Sequence, residues 1–432
     1  MLGSAESRAI TARSVAAQAV LRVLRDGAFG AAALSAELDR ARDLDERDRA
    51  LATELLYGTL RLRGALEARL AEHASRGLKD VTVRAELLVA AYQILSLDRV
   101  PAFAAVNSAV SAVRAKRGAK VAGFANAILR KLASGEKLDP VEAAKCSIAP
   151  WLLAALERSV GAEAASLLIS PELEKKVGLR LISGRSMPAW LAESEHGKLS
   201  PRARLVHGEG DPRKREGYAE GAFVVQEEGA QAIGLALGAR PGERVLDACA
   251  GRGQKTSLFA EQVGPTGAVW ATDLYPNKLE ALAREFERLK LPAATTRAID
   301  WSVGVGDVPA DFDRVLVDAP CSGSGTLRRR PEIAMRLEPG DPARLSALAE
   351  SILRSAATRA KPGARVVFAV CSVLEEECEA LVARVSDLLE PAPFDAPELA
   401  ALAVLQEGAT SFRIGPARFG TDGYFAASFR RI

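Results

Sequence analysis

From Gly221 onward, short apolar runs alternate with longer amphipathic stretches, and that alternation admits few architectures. Residues 243–249, 268–273, 294–299, 314–318 and 364–370 read as strands, and helical stretches such as 277–289 and 344–360 lie between most of them. A parallel, doubly wound α/β sheet is the architecture this predicts, with any ligand at the carboxyl ends of its strands. A final strand-like run, 423–429, follows a glycine-rich turn.

Upstream the period changes. From residue 7 to residue 132 apolar side chains recur at i, i+3 and i+4, and Gly or Pro occurs only at breaks such as Gly27, Gly77 and Pro101. An all-α domain over 1–140 is expected, closed by the helix-breaking stretch 135–140. Residues 141–220 form a small α+β segment, with 151–160 helical and 177–182 extended, and 221–432 form the α/β domain. A chain of 432 residues with 48% hydrophobic and 26% charged residues suits this division into two or three globular domains.

No apolar run approaches the roughly 18 residues of a membrane span, so no membrane partner is expected. The stretch 7–24, with Arg8 and Arg13, could imitate an organellar transit peptide. Val15, Ala19 and Val23 keep helical spacing, which favours a structural first helix. Five cysteines (Cys146, Cys249, Cys321, Cys371, Cys378) offer neither a disulfide framework nor a C-x-x-C metal pair. A reducing, cytoplasmic setting follows, with no metal, and the chain is read as a monomer. Net charge is only +3, so the distribution of charge is more informative. Between Ser111 and Ser134 the bases Arg114, Lys116, Arg117, Lys120, Arg130 and Lys131 occur without one acid. Such a stretch is either a phosphate-contacting face or a solvated helix surface.

Chemistry enters at Val245-Leu-Asp-Ala-Cys-Ala-Gly-Arg-Gly-Gln-Lys-Thr256, a buried strand running into a glycine turn and a helix. A phosphate-binding loop needs Gly immediately before Lys255, where Gln254 stands; a dinucleotide fingerprint needs Gly or Ala at Thr256. S-adenosylmethionine, which has no phosphates to cradle, fits better. Asp273, at the end of the second strand, is placed to accept from ribose hydroxyls. Asp300, closing the third strand, suits either the adenine edge or a turn.

Asp313-Arg-Val-Leu-Val-Asp-Ala-Pro-Cys-Ser-Gly-Ser-Gly325 puts Asp318 and Cys321 at the end of the fourth strand, and Val366-Val-Phe-Ala-Val-Cys-Ser-Val373 puts Cys371 at the end of the fifth. Either cysteine alone would pass for a buried structural thiol. Two at the functional ends of adjacent strands, beside a nucleoside pocket, point to thiol chemistry on a base. Carbon 5 of cytosine is too poor a nucleophile to take a methyl group directly, and thiolate addition at carbon 6 activates it. A free thiol titrates near ~8.5, so its surroundings must favour the thiolate.

At these residues the sequence resembles the RNA 5-methylcytosine methyltransferases of the NOL1/NOP2/Sun family. The matching motifs are Leu246-Asp-Ala-Cys-Ala, Gly253-Gln-Lys-Thr256, Asp318-Ala-Pro-Cys-Ser322 and Cys371-Ser-Val-Leu-Glu-Glu376, with Val225-Gln-Glu and Asp422-Gly-Tyr-Phe425. The resemblance implies a Rossmann-like class I methyltransferase domain in which Cys371 is the nucleophile, Cys321 assists product release and Asp318 contacts the base. It also implies that Cys249, Ala250, Gly251, Arg252, Gly253, Gln254 and Lys255, with Asp273, Asp300 and Asp318, bind S-adenosylmethionine. Asp45-Glu-Arg-Asp-Arg-Ala, Glu54-Leu-Leu-Tyr-Gly-Thr-Leu-Arg61, Val106-Asn-Ser-Ala-Val110 and Gly123-Phe-Ala-Asn-Ala-Ile-Leu-Arg130 are similar to the NusB-type helical RNA-binding domain.

That combination implies a bacterial enzyme of small-subunit (16S) ribosomal RNA. Transfer RNA as the substrate, or an inactive RNA-binding assembly factor, are the alternatives it leaves open. Arg114, Lys116, Arg117 and Lys120, with Arg328, Arg329 and Arg330, are the expected phosphate contacts around an unstacked base. Where the family has Ala-Pro-Gly-Gly before Lys-Thr, this chain has Gly251-Arg-Gly-Gln, which removes a rigid proline and adds a charge near the cofactor. Val370, Arg330 and Glu332 replace the usual Thr, His and Asp, and none of these changes removes a group the chemistry requires.

Overall fold

The computed structural model describes residues 10–74, 77–171, 176–207, 210–401 and 408–432, so Ser7 and Arg8 of the expected first helix lie outside the described residues. The chain packs as two compact units. One comprises Met1–Leu153, Ile169–Leu173 and Leu327–Arg336, the other Ala154–Leu168, Glu174–Thr326 and Leu337–Ile432.

The first unit is built on α1 (Ala12–Asp26), α2 (Gly30–Arg40), α3 (Glu46–Arg61), α4 (Arg63–Ala71), α5 (Val81–Ser96), α6 (Ala102–Ala133) and α7 (Pro140–Cys146). Thr11 and Ser14 exchange side-chain and backbone bonds at the start of α1, and Gly27 ends it in the left-handed region at φ 61°. Val83 to Leu95 of α5 are almost all buried, so this helix is enclosed on nearly every side and packs among α1, α3, α4 and α6. Gly58 of α3 lies against the Tyr92 ring of α5, where a Cβ would overlap ring atoms, and the Tyr92 hydroxyl donates to Glu54 at 2.5 Å. Helix α6 breaks at Gly118 (φ 83°, ψ 175°), in the middle of the basic stretch.

The segment Leu327–Arg336 belongs to this unit although it lies far along the chain. Arg61 Nη2 donates to the Arg328 carbonyl at 2.7 Å, the Gly30 amide donates to Glu332 Oε1 at 3.1 Å, and Arg336 Nη2 donates to the Gly27 carbonyl at 2.6 Å.

Helices α8 (Pro150–Val160) and α9 (Ala162–Ile169) precede β1 (Val177–Leu181), β2 (Glu195–His196), β3 (Ala203–Val206) and β4 (Phe223–Val225), which form an antiparallel sheet in the order β2-β3-β1-β4. Phe223 fills its small core, with the Trp190 ring 5.7 Å away, edge to face. The chain continues through α10 (Glu228–Ala236), β5 (Arg244–Asp247), α11 (Gln254–Val263), β6 (Ala268–Asp273), α12 (Pro276–Leu289), β7 (Thr295–Ala298) and β8 (Phe312–Asp318). It closes with α13 (Asp341–Ala357), β9 (Ala360–Val370), α14 (Glu379–Val382), β10 (Leu389–Pro391), α15 (Pro397–Ala401), β11 (Ser411–Ile414), α16 (Pro416–Phe419) and β12 (Tyr424–Arg431).

These strands form one sheet in the order β10-β12-β9-β8-β5-β6-β7, with β11 also paired to β12. Strands β5 to β9 are mutually parallel, as the alternating pattern predicts. The β12 edge is antiparallel, because the short turn from β11 through α16 reverses the chain without a crossover. Strand order reverses between β5 and β8, and the ends of these two strands are where a doubly wound sheet takes its ligand. Among the described residues, no helix is long and apolar enough to cross a membrane, and no cluster of side chains could hold a metal ion.

Candidate active site

Strand β5 ends at Asp247, two residues earlier than the alternation suggests, because the chain turns there toward its neighbours. The Ala248 amide donates to Leu316 O at 2.9 Å, and the Ala250 amide donates to Thr272 O at 2.8 Å. Gly251 and Gly253 then take φ 57° and 85°. At Gly253 a Cβ would also press 2.5 Å from Leu282 Cγ, so glycine is needed there for both conformation and space. Asp273, at the end of β6, accepts from the Gly251 amide at 3.0 Å and the Tyr275 amide at 2.9 Å, while Lys278 Nζ lies 3.2 Å away. Its carboxylate thus shapes the turn that was expected to hold the cofactor.

Two residues that motif spacing did not single out complete this wall. Trp301 is buried, and its Nε1 donates to Ala248 O and to Thr272 Oγ1, both at 2.9 Å, which ties the loop after β7 to the turn after β5. Asp247 is 1% exposed; Thr256 Oγ1 donates to its Oδ2 at 2.7 Å, and its Oδ1 has no hydrogen-bond partner. Burial pushes its carboxyl up to about 7. A buried carboxylate oxygen without a donor fits an amino-acid-bearing cofactor, whose ammonium group would complete it. The Asp-Ala-Cys-Ala motif contains this residue, so the signal was present in the sequence. Asp300 is exposed just after β7, and its Oδ1 accepts from the Ser302 amide at 3.0 Å and the Ser302 hydroxyl at 2.5 Å, the bonds of a turn.

The thiols meet on the neighbouring strands. Cys321 follows β8 and Cys371 follows β9, and their sulfur atoms are 3.5 Å apart. Hydrogen bonding to Cys371 and burial hold the Cys321 thiol well above its ordinary range, which favours its protonated form. Lys255 Nζ donates to Asp318 Oδ2 at 2.7 Å. Burial pulls the Lys255 ammonium down, but the Asp318 carboxylate more than offsets this and the group stays charged. Cys371 lies within reach of that charge. Burial and the carboxylates of Asp247, Asp318 and Asp273 push the Cys249 thiol up, which marks it as a neutral wall residue. Lys255, Asp318, Cys321, Cys371 and Cys249 are therefore gathered at the carboxyl ends of β5, β8 and β9.

The family models match this chain in two places: "16S rRNA methyltransferase RsmB/F" over residues 234–430 and "NusB family" over 10–134. The ribosomal RNA small subunit methyltransferase B of Pasteurella multocida is 30% identical over 446 residues, covering 98% of this chain and 96% of that one. The protein of the same name from Pseudomonas putida is 32% identical over 382 residues, covering 84% and 86%. The chain belongs to the RsmB/F family of 16S rRNA methyltransferases. The family's methyl donor is S-adenosylmethionine. Among solved structures, PH0851 shares the fold at a TM-score of 0.82 and 21% identity, covering 98% of this chain and 99% of that one. NSun6 from Pyrococcus horikoshii does so at 0.56 and 14%, covering 66% and 98%.

In this RsmB/F chain the departures at the turn expected to hold the cofactor resolve structurally. Arg252 is exposed, so the added charge points to solvent, and Gln254 Nε2 donates to Val225 O at 2.8 Å, which anchors the start of α11. The expected phosphate contacts divide. Arg114 and Lys120 are exposed, whereas Lys116 pairs with Glu86 at 2.8 Å and Arg117 with Asp80 at 2.5 Å. Arg328 corrects the expectation of a basic surface triplet. It is 2% exposed, held within the first unit by the bond from Arg61 to its carbonyl, so it is not available to a phosphate. Arg329 is half-buried and Arg330 is exposed.

Proposed function

We propose that this protein methylates carbon 5 of a cytosine in small-subunit (16S) ribosomal RNA through a covalent adduct between Cys371 Sγ and carbon 6 of the base. The observation that carries this reading is the Cys321–Cys371 pair, 3.5 Å apart, beside the Lys255–Asp318 ion pair. Relatives named ribosomal RNA small subunit methyltransferase B support the substrate. Residues 1–140 serve as the RNA-binding domain, 141–220 as a small subdomain and 221–432 as the catalytic domain, acting in the cytoplasm. Arg114, Lys120 and Arg330 are the phosphate contacts, and the target base is unstacked before reaction, since carbon 6 is out of reach inside a helix.

S-adenosylmethionine, when bound, supplies an electrophilic methyl group on a sulfonium centre. Asp247, Asp273 and the turn 249–255 are the residues that would hold it. The Lys255 charge favours a thiolate at Cys371. As its sulfur bonds to carbon 6, the ring double-bond pair moves to carbon 5, which becomes the nucleophile. Asp318 orients the base through its exocyclic amine. After transfer, the proton on carbon 5 leaves to a base, its electron pair re-forms the double bond and expels the Cys371 sulfur, and Cys321 protonates that departing sulfur.

With 16S RNA and cofactor, a Cys321→Ala variant should accumulate a protein–RNA complex that survives denaturing electrophoresis, and Cys371→Ala should form none and transfer no methyl group. Absence of the complex, together with full activity in Cys371→Ala, would overturn the mechanism. Bisulfite sequencing of the treated RNA identifies the cytosine, and calorimetry showing no binding at millimolar S-adenosylmethionine would instead favour a catalytically inactive assembly factor.

A further inference from the structure

Each active-site cysteine is followed by a serine, and both serines converge on one carboxylate. Glu377 Oε1 accepts from the Ser322 amide at 2.7 Å, and its Oε2 accepts from the Ser322 hydroxyl and the Ser372 hydroxyl, each at 2.5 Å. Glu377 is 1% exposed, and Ser322, Ser324 and Ser372 are buried with it. Ser372 has one hydroxyl hydrogen and gives it to Glu377. The 2.9 Å contact with Ser324 therefore has Ser324 as its donor, while Ser324 Oγ in turn accepts from the Val373 amide at 3.1 Å. The Gly325 amide donates to Cys371 O at 3.0 Å, so the two loops are joined by backbone as well.

A carboxylate so deeply buried is expensive, and an apolar side chain would fill the same volume at lower cost. What a carboxylate adds is a rigid fork without hydrogens of its own, able to gather three donors from two separate loops. The proposed chemistry assigns no step to Glu377.

We infer that Glu377 is a positioning residue, a clasp that fixes the Cys321 and Cys371 loops to each other and so sets the separation of their sulfur atoms. The catalytic consequence of this role rests on the proposed function, because the distance matters only if both thiols act on one base. The spacing itself is a property of the two loops and does not depend on that reading. Amide in place of carboxylate retains one acceptor of the fork, so Glu377→Gln keeps part of the clasp, whereas Glu377→Ala removes it.

Phenylarsine oxide tests the spacing without reference to methyl transfer, because it bonds to two neighbouring thiols with loss of water. Peptide mapping by mass spectrometry should find it bridging Cys321 and Cys371 in the unsubstituted protein. Capture should be slowed at least about tenfold in Glu377→Ala, with an intermediate rate in Glu377→Gln and in Ser372→Ala. In methyl transfer, Glu377→Ala should lower kcat about 100-fold, the scale of a 1 Å misplacement, with KM for RNA and cofactor changed less than about threefold. If Glu377→Ala does not fold, Glu377→Gln and Ser372→Ala carry the same comparison. Capture at the unsubstituted rate in these variants overturns the inference, whatever happens to kcat. Slowed capture alongside full activity in Cys371→Ala would uphold the clasp and refute the covalent mechanism.

Discussion

Replacing Asp247 with Asn exchanges one carboxylate oxygen for an amide nitrogen in a site that is 1% exposed. Burial lifts this carboxyl from 3.8 to about 7, and at about 1.4 kcal/mol per pH unit its ionised form costs the fold up to about 4 kcal/mol. The folded value lies above the unfolded one, so the penalty is absent below pH 4, grows between about pH 4 and 7, and is constant above. At pH 5 it amounts to about 2 kcal/mol. An Asn side chain still accepts from Thr256 Oγ1, but its amide hydrogens inherit a position with no partner, at a cost of about 1–3 kcal/mol. The two effects roughly cancel at pH 5. At pH 8 the charge penalty wins, and the unliganded variant should be more stable than the parent by about 1–3 kcal/mol, which is about 2–4 °C in Tm per kcal/mol for a unit of this size. Scanning calorimetry at the two pH values reads this difference. Cofactor affinity should move the other way. Loss of a charge-assisted bond to the ammonium group, about 1.5–3 kcal/mol, weakens S-adenosylmethionine about tenfold to a hundredfold in a calorimetric titration. A variant that melts below the parent at pH 8, or binds cofactor equally well, would refute the reasoning.

Two further outcomes follow from the first unit. Glutamine at both Arg114 and Lys120 should weaken RNA binding and flatten the slope of log affinity against log salt by about 1.4–1.8, whereas the same change at Lys116 and Arg117 should alter it less than half as much. Equal effects would show that Glu86 and Asp80 do not neutralise their partners in solution. Gly58→Ala should destabilise the helical unit by about 1–3 kcal/mol through collision with the Tyr92 ring, and an unchanged transition in calorimetry would contradict that packing.

The helices of the first unit and the parallel strands of the second were legible because burial imposes their periods directly on sequence, 3.6 for α1 and near-continuous apolar runs for β8 and β9. The break at Gly118 was not, since one glycine in an alanine-rich helical pattern leaves the period intact. The basic stretch looked unopposed because its acids lie elsewhere: Arg117 meets Asp80 across 37 residues of chain and Lys116 meets Glu86 across 30. The two thiols could be placed from strand ends alone. Glu377 could not, because a run of three acids at 375–377 reads as solvated surface, and only the packing of the thiol loops buries the third of them. Arg328 misled for a related reason. Three consecutive arginines imply exposure, and the segment carrying them closes into a helical unit whose sequence lies mostly before residue 154.

That closure has a consequence for how the protein is made. The amide of Gly30 and the carboxylate it meets on Glu332 are 302 residues apart, so translation finishes the helices α1 to α7 long before the segment that completes them exists. Until residues 327–336 emerge, the bonds from Gly30 and Arg61 to that segment cannot form. A truncated chain that stops after the helices is thus born with an open seam, and the unit is sealed only when most of the catalytic sequence has also been synthesised.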